Sequence, residues 1–272
     1  MALNPLIIDT HSHIFDTAFD PDRTEVIERA LSAGVGLQLL PNVDLDTVPA
    51  LLRTADQYAC CLPMIGLHPT SVGERFESDL SELERIMGQH RFYGIGEIGI
   101  DLYWDTSMRE QQEQAFRHQL RWAKRMHLPV SIHVRDRANS TAAFDTVLAI
   151  VDAEHTSELS GVFHCFSGTF NHYRHIADYG TFMVGIGGVA TYKNGGFDQL
   201  APHIDPAHLL LETDCPYLAP IPKRGKRNEP AHIVHTATHI AQLLKLEVAD
   251  LYGITSSNAI RLFNLTLPEQ QA

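Results

Sequence analysis

The sequence predicts a (β/α)8 barrel of the TIM type, with residues 1–272 forming a single domain. Three observations favour this fold. Apolar segments typical of strands recur eight times, segments with a helical period lie between them, and side chains able to bind metal stand where the strand segments end. A length of 272 residues is also ordinary for such a barrel. A doubly wound open sheet is the alternative architecture.

The eight strand segments are rich in apolar residues, as parallel strands covered on both faces require. In chain order they are LIIDTHSHI, GVGLQLLP, CCLPMIGLHP, FYGIGEIGID, PVSIHV, GVFHCFSG, TFMVGIGG and LLLETDCPYL.

The segments between the strands repeat their apolar residues with a period near 3.6, which indicates helices. They are RTEVIERALSA, DTVPALLRTADQY, SDLSELERIMGQH, REQQEQAFRHQLRWAKRMH, TAAFDTVLAIVDA, NHYRHIADY and a weak segment around FDQLAPH. Two more segments, EPAHIVHTATHIAQLLKL and SSNAIRLF, follow the eighth strand. We expect these C-terminal helices, from about residue 229, to pack on the barrel.

The composition excludes a disordered chain and a protein that coats nucleic acid non-specifically. Hydrophobic residues make up 44% of the chain, and 33 acidic residues against 21 basic ones give a formal charge of −12. Any binding of a polyanion therefore has to be local. The 16 histidines are numerous and hint at metal binding. The four cysteines form no C-x-x-C pair, so we expect reduced residues of the core.

The amino-terminal segment MALNPLII lacks the basic start and the long apolar stretch of a signal peptide. No apolar run approaches the roughly 18 residues that a membrane span needs. We therefore expect a cytoplasmic protein that does not associate with membranes, and the sequence gives no sign of an obligate protein partner.

The segment DTHSHI places His11 and His13 two positions apart at the end of the apolar run LII. Side chains two apart on a strand point to the same face, so both imidazoles would face one small volume. This is the geometry of a metal site, provided that other parts of the chain supply further ligands.

Other polar side chains interrupt the last part of the later strand segments. In a barrel these strand ends meet at one face, where catalytic groups lie. Any one of them has an ordinary explanation as a satisfied histidine or a loop carboxylate, but six at the same end of several strands indicate a site. They are His68, Glu97, Asp101, His133, His164 and Asp214.

The expected ligands exceed the three or four protein groups that one catalytic ion takes. Six suit two divalent ions about 3.5–4 Å apart, with a carboxylate and a hydroxide bridging them. Mixed nitrogen and oxygen ligands suit zinc or manganese better than calcium and do not choose between those two. The identity of the ions, zinc, manganese or magnesium, stays undetermined. The six expected ligands are His11, His13, Glu97, His133, His164 and Asp214.

An ordered set of motifs along nearly the whole chain resembles the TatD family of metal-dependent deoxyribonucleases, which belong to the amidohydrolase-like barrels. The resemblance implies a TIM-type barrel, a site for two metal ions and hydrolysis of phosphodiesters, usually as a nuclease. The motifs are DTHSHI, GLHP, GEIGID, IHVRD, HCFSG, ETDCPYLAP, RNEP and SSNAIRLFNL.

The resemblance also implies individual roles. His11 and His13 would hold the first ion together with Asp214, and His133 and His164 would hold the second. Glu97 would bridge both ions, in the place of the carbamylated lysine of other barrels in the superfamily.

The expected mechanism is metal-assisted hydrolysis in which Asp214 accepts the proton of the attacking water. Glu212 shares a face with Asp214, so it either accepts a hydrogen bond from a metal-bound histidine or forms an ion pair inside the barrel. The sequence leaves both open. Asp101 is interpreted as a loop carboxylate.

Four further residues would face the phosphate if the resemblance holds. They are His68, Arg135, Arg227 and Asn228. One departure matters here, because Thr70 stands where many relatives have a second histidine. That departure puts a phosphate contact or a proton relay in doubt.

The stretch PKRGKRNEP packs Lys223, Arg224, Lys226 and Arg227 into five positions. A charge run is usually a solvated loop, but this one follows the strand that ends in Asp214 and would lie on the active face. Such a cluster on an acidic protein suits a polyanionic substrate. We therefore predict a nuclease, a DNase that works from strand ends.

Two other functions stay open at this stage. A hydrolase with the same ligands could act on a carbonyl group, as an amidase, a lactonase or an aminoacyl-tRNA deacylase. A non-catalytic barrel that binds metal or a partner protein is the other alternative, although a pure scaffold has no need of six retained ligands. Metal content after gentle purification would separate these classes.

Overall fold

The computed structural model describes residues 6–266, and these form a closed barrel of eight parallel strands. The predicted (β/α)8 barrel of the TIM type is confirmed, and the open doubly wound sheet is excluded. The strands are β1 (Ile7–Asp9), β2 (Val35–Pro41), β3 (Cys61–Met64), β4 (Ile95–Asp101), β5 (Val130–Arg135), β6 (Gly161–Phe163), β7 (Phe182–Ile186) and β8 (Leu209–Leu211).

Strands β1–β3 pair as one parallel set and β4–β8 as another. The two sets meet at two seams, the first between β3 and β4 and the second between β8 and β1, and these close the barrel. At the first seam the Gly96 N–H donates to the carbonyl oxygen of Ile65 at 2.9 Å. At the second seam the His13 N–H donates to the carbonyl oxygen of Cys215 at 2.8 Å. Pairing at this second seam continues past the ends of β1 and β8, so the polar residues that follow these two strands lie side by side.

Helices follow the strands along the described part of the chain. The weak seventh segment is a single four-residue turn of helix, flanked by short 3-10 turns. The helices are α1 (Arg23–Ser32), α2 (Val48–Gln57), α3 (Phe76–Met87), α4 (Arg109–Met126), α5 (Ala142–Glu154), α6 (Phe170–Asp178), α7 (Phe197–Leu200), α8 (Ile233–Leu244) and α9 (Val248–Phe263).

The last helix is longer than the sequence indicates. The pattern predicts a helix from Ser256, whereas α9 begins at Val248. Gly253 weakens the local helical signal by about 1 kcal/mol relative to alanine, but Leu251 and Thr255 are buried against the fold and tertiary packing overrides that preference. The helix contacts β1 and β8, and Asn258 Nδ2 donates to the carbonyl oxygen of Leu209 at 2.9 Å.

A small hydrophobic cluster fills the lower barrel interior, and the end of α9 covers it. Residues two positions further along an extended chain share the same face. Val162 of β6 therefore leads to His164 just past the strand, and Leu210 of β8 leads to Glu212 and Asp214 just past that strand. An apolar layer thus gives way to a polar layer at the carboxyl ends of the strands. The cluster consists of Ile8, Leu37, Leu39, Met64, Val162, Met183, Leu210, Ala259, Phe263 and Leu265.

Three remaining expectations concern cysteines, membranes and the amino terminus. Cys60, Cys61, Cys165 and Cys215 are free. Within residues 6–266, none of the helices combines the length and the apolar character needed to span a bilayer. Most of the segment considered for a signal peptide, MALNP, lies outside the described residues.

Candidate metal centre

The carboxyl ends of the strands gather imidazole and carboxylate groups inside the mouth of the barrel. All six expected ligands lie here together with His68, and most of them are buried. We call these seven residues the ligand cluster: His11, His13, His68, Glu97, His133, His164 and Asp214.

The Glu97 carboxylate lies between two sets of histidines. Its Oε2 atom is 3.2 Å from Nε2 of His11 and 3.6 Å from Nε2 of His13. Its Oε1 atom is 2.8 Å from Nδ1 of His133 and 3.4 Å from Nε2 of His68. One buried carboxylate thus stands between two sets of imidazole nitrogens, with one oxygen toward each set.

Asp214 and His164 complete the side of the cluster next to β1. Oδ1 of Asp214 lies 3.4 Å from Nε2 of His13 and 3.8 Å from Nε2 of His164. The His164 ring stacks on His11 with 3.4 Å between ring centroids, and its Nε2 is 3.7 Å from Oε1 of Glu97. His164 thus lies between the two sets, whereas the resemblance groups it with His133 alone.

Two buried side chains behind the cluster, Ser131 and Glu212, orient its imidazoles. Oγ of Ser131 lies 3.2 Å from Nδ1 of His11. Oε1 of Glu212 lies 3.0 Å from Nδ1 of His164, so the Nε2 atom of that ring points into the cluster. Gly185 makes this possible, because a Cβ atom there would come within 2.2 Å of Oε2 of Glu212.

Asp101 is wrongly interpreted as a loop carboxylate by the sequence analysis. It is 1% exposed, and its Oδ2 atom lies 3.0 Å from Nε2 of His133. The signal was present in the sequence, since Glu97 and Asp101 stand four apart in β4 and share a face at period two. A carboxylate on one ring nitrogen leaves Nδ1 of His133 to face Glu97.

Thr70, the departure from the family pattern, contacts His68. The Thr70 backbone N–H donates to Nδ1 of His68 at 3.2 Å, and the hydroxyl Oγ1 lies 2.6 Å from the same nitrogen. An Nδ1 that accepts hydrogen bonds leaves the proton of the neutral ring on Nε2. His68 therefore presents an N–H donor toward Glu97 rather than a free lone pair.

The donor set fits a divalent metal. Nε2 of His11 and Nε2 of His13 face each other at 3.2 Å, and each has a carboxylate oxygen within 3.6 Å. In the part of the chain that the structure describes, every ion-pair partner of Glu97 and Asp214 is a histidine. Buried carboxylates without a lysine or arginine need another positive charge. Nitrogen and oxygen ligands at this spacing can hold that charge as a metal ion.

The family model described as "TatD related DNase" matches residues 8–264. The chain belongs to the TatD family. The Bacillus subtilis relative named "Uncharacterized metal-dependent hydrolase YabD" is 34% identical, over 96% of this chain and 100% of the relative. A Cronobacter turicensis relative named "3'-5' ssDNA/RNA exonuclease TatD" is 34% identical, over 94% of this chain and 97% of the relative.

A solved structure agrees with the family. The crystal structure of the TatD homologue YJJV from Escherichia coli K12 superposes with a TM-score of 0.89 at 26% identity, over 97% of this chain and 100% of the other. This TatD protein is therefore a metal-dependent hydrolase acting on ester bonds, with clusters of histidine and carboxylate able to bind metal.

Charges inside the cluster move the pKa values of its members. Burial disfavours the charged form of His164, but the nearby carboxylates of Glu212, Glu97 and Asp214 raise its pKa to about 10. Burial also opposes protonation of His13, yet the hydrogen bond with Asp214 raises the pKa. Burial lowers the pKa of His68, which keeps that ring neutral. Metal would therefore compete with protons for part of this cluster.

The remaining predicted site residues of this TatD protein lie apart from the ligand cluster. Arg227 makes two hydrogen bonds to Asp22, at 2.8 and 2.7 Å. Asn228 is buried, and its Nδ2 donates to the carbonyl oxygens of Thr213 and Tyr217. Neither side chain is free to face a phosphate in this structure, and Asn228 holds the loop after β8.

Arg135 is the last residue of β5, and its guanidinium carbon is 4.2 Å from the centre of the Tyr103 ring and 5.3 Å from that of Trp104. These two aromatic residues were not among the predicted site residues. Their signal in the sequence was the aromatic pair YW, which follows the strand segment ending in Asp101 after one intervening leucine.

Proposed function

We propose that this TatD protein is a divalent-metal-dependent phosphodiesterase that removes nucleotides from the ends of single-stranded nucleic acid. The observation that carries the proposal is the position of Glu97, whose two oxygens face separate sets of histidines. A carboxylate shared in this way suits a pair of ions, and two-metal sites are common in nucleases and phosphatases.

The ligands would divide between two ions of zinc, manganese or magnesium. His11, His13 and Asp214 would hold one, while His133 and His164 would hold the other, with Glu97 shared between them. Bound ions would lower the pKa of a water molecule and polarise the scissile P–O bond. Glu212 would keep the His164 ring in place through its contact with Nδ1.

The chain's own residues would handle protons and charge. Asp214 is the side chain of the cluster best placed to accept a proton, because it is a carboxylate that is 14% exposed and its Oδ1 faces Nε2 of His13. The Nε2–H of His68 would donate to a phosphate oxygen, since Thr70 occupies Nδ1. Arg135, at the rim, would add positive charge beside the departing group.

The choice of substrate rests on relatives and on charge. Proteins from Cronobacter turicensis and Citrobacter koseri, 34% and 32% identical, carry the name "3'-5' ssDNA/RNA exonuclease TatD". This chain has a formal charge of −12, yet it concentrates Lys223, Arg224 and Lys226 on the loop after β8. We propose that residues 1–272 act together as one hydrolase barrel on this substrate.

The test is a cleavage assay with a defined metal content. The purified protein is stripped with chelator, reloaded with zinc, manganese or magnesium, and given a 20-nucleotide single strand labelled at either end. Successive shortening of the strand from one end, only after reloading, supports the proposal. Hydrolysis of amides or lactones without cleavage of the oligonucleotide contradicts it and favours a carbonyl hydrolase. Absence of bound metal after metal-replete expression would favour the non-catalytic barrel.

A further inference from the structure

An exposed aromatic ledge follows β4 beside the ligand cluster. Trp104 is 66% exposed, the largest exposure of any large hydrophobic side chain among residues 6–266, and Tyr103 is 42% exposed. Their rings meet edge to face, with 4.8 Å between centroids. We call Tyr103, Trp104 and Arg135 the β4 ledge. Adjoining exposed aromatic rings of this kind are typical of ligand-binding surfaces.

The β4 ledge is fixed to the ligand cluster through Asp101. Oδ1 of Asp101 accepts hydrogen bonds from the backbone N–H groups of Tyr103 and Trp104, at 2.9 and 3.3 Å. The other oxygen of the same carboxylate contacts His133 at 3.0 Å. One buried side chain therefore sets the position of both the ledge and a member of the cluster, and a molecule whose reacting group lies in the cluster passes the ledge.

The charge beside the ledge suits an anion. Arg135 and Arg137 are both exposed, and neither has a carboxylate oxygen within 4.0 Å in the described chain. With Tyr103 they line a cavity of about 370 Å³. Asp136 lines it too, but its carboxylate oxygens accept hydrogen bonds from the backbone N–H groups of Ala143 and Phe144. Guanidinium groups that lack a carboxylate partner and lie beside exposed aromatic rings can recognise a phosphate joined to a planar base.

We infer that the β4 ledge is a stacking subsite for one unpaired nucleobase of a single-stranded substrate, with Arg135 and Arg137 on the adjoining phosphate. The inference rests on the proposed function and names the part of the substrate that this face takes. Base stacking on an aromatic ring tolerates any base, so the subsite selects unpaired nucleotides and not a sequence. A paired base has its faces covered by its neighbours and cannot use the ledge.

The test compares two oligonucleotides of equal charge, a ten-residue oligothymidylate and an abasic strand of the same length. Both carry phosphorothioate linkages that resist hydrolysis and a fluorescein label, so anisotropy gives the Kd with the metal-loaded protein. Trp104→Ala should raise the Kd for oligothymidylate about tenfold, the loss expected for one stacked base. It should change the Kd for the abasic strand much less. Trp104→Phe, which keeps an aromatic face, should lie near the native protein.

Two further measurements test whether a change in Kd comes from the loss of stacking on Trp104. Leu31→Ala is the matched control, because Leu31 is 50% exposed at the end of α1, far from the strand ends that carry the site. Oligothymidylate should also quench the emission of the native protein more than the abasic strand does, since Trp104 is exposed and the other tryptophan, Trp122, is 1% exposed.

Each outcome decides the inference. Equal weakening of both oligonucleotides by Trp104→Ala, or no weakening of either, overturns the stacking subsite while leaving the proposed function intact. A native protein that neither binds nor cleaves any oligonucleotide overturns the proposed function, and the subsite fails with it. A tenfold loss confined to oligothymidylate supports both.

Discussion

The two rims of the barrel mouth use their arginines in different ways. On the loop after β8, Arg227 is hydrogen-bonded to Asp22 and Arg224 lies 4.4 Å from the centre of the Tyr192 ring. On the rim after β4 and β5, Arg135 and Arg137 form no ion pair among residues 6–266. The basic cluster that stands out in the sequence is thus partly used by the fold, because Arg227 is paired with Asp22. The less conspicuous Arg135 and Arg137 have no carboxylate partner in that described range, although Arg135 packs on the Tyr103 ring much as Arg224 packs on Tyr192.

The number of basic residues in a segment of sequence therefore differs from the number whose charge is available to a substrate. Asp22 and Arg227 are separated by 205 positions in the sequence, so no local pattern reveals their pairing. Experiments that act on one rim at a time can separate the two uses, with the shared ligand cluster as the reference.

The largest effect is expected at Glu97, because a substrate bound at either rim would react at the metal site that this carboxylate helps to form. Glu97→Ala should lose metal and activity together, by more than the roughly 100-fold that loss of an outer contact costs. Glu97→Gln should bind metal more weakly, since a neutral amide cannot offset two cations. Metal analysis and turnover of both an oligonucleotide and a small chromogenic phosphodiester measure this. Folding should survive in both variants. Near-normal turnover of Glu97→Gln would remove the bridging role.

The next effect concerns pH. Because carboxylates raise the pKa of His13, His133 and His164 in spite of their burial, protons compete with metal for the cluster. Metal affinity and activity should both fall as the pH falls, by about tenfold per pH unit for each proton displaced. Titration of the chelator-treated protein with metal should release protons at pH 7. Full metal occupancy with an activity optimum at pH 4–5 would contradict the ligand assignment.

The stability of the metal-free protein should have the opposite dependence. The pKa of His164 is about 10 in the folded protein, against 6.5 for an ordinary histidine. A group whose pKa is raised by folding stabilises the fold fully below its unfolded pKa, and that stabilisation is lost as the pH rises through the folded value. The Tm of the metal-free protein should therefore decline from about pH 6.5 toward pH 10. A Tm that instead rises over this range would contradict the charge arrangement of the cluster.

Some features of the barrel and of the ligand cluster could be predicted from the sequence, and others could not. The barrel was predictable because every strand carries its own apolar run, and His164 and Asp214 were predictable because they continue the inward face of β6 and β8. The contact of Asp101 with His133 was not recognised, since it depends on two strands lying side by side in register. The contact between Thr70 and His68 was likewise hidden, because only the turn geometry after β3 brings the hydroxyl to Nδ1.

A smaller effect is expected from the loop after β8. Replacing Lys223, Arg224 and Lys226 by glutamate should raise the KM for single-stranded oligonucleotides and reduce the slope of its salt dependence, by about 2 if all three contact phosphates. The KM of a small chromogenic phosphodiester, too short to reach the loop, should rise less. The same measurement on Arg135→Ala and Arg137→Ala compares the rims directly. If the two substrates respond equally to the triple replacement, or neither responds, the loop is not a nucleic-acid contact and the carbonyl-hydrolase alternative gains.

The smallest effect is expected at Arg227, and it separates a structural arginine from a binding one. Arg227→Ala removes the pair with Asp22, one hydrogen bond to the carbonyl oxygen of Ala18 and a contact 4.6 Å above the Phe19 ring. Because the two charged side chains are 33% and 34% exposed, solvent screens the pair and its loss should cost only about 0.5–1 kcal/mol. For a chain of this length the Tm should fall by about 2 °C.

Asp22→Asn is the matched variant, since it weakens the same pair while leaving the arginine in place. If Arg227 serves the fold, both variants should lower the Tm by a similar small amount, since the exposed pair is screened by solvent. The KM for an oligonucleotide should then change less than about twofold, a difference below the energy of one exposed ion pair. If Arg227 instead leaves Asp22 to bind phosphate, Arg227→Ala should raise the KM strongly, whereas Asp22→Asn should lower it by releasing the guanidinium. That second pattern would place a free arginine on each rim and remove the contrast between them.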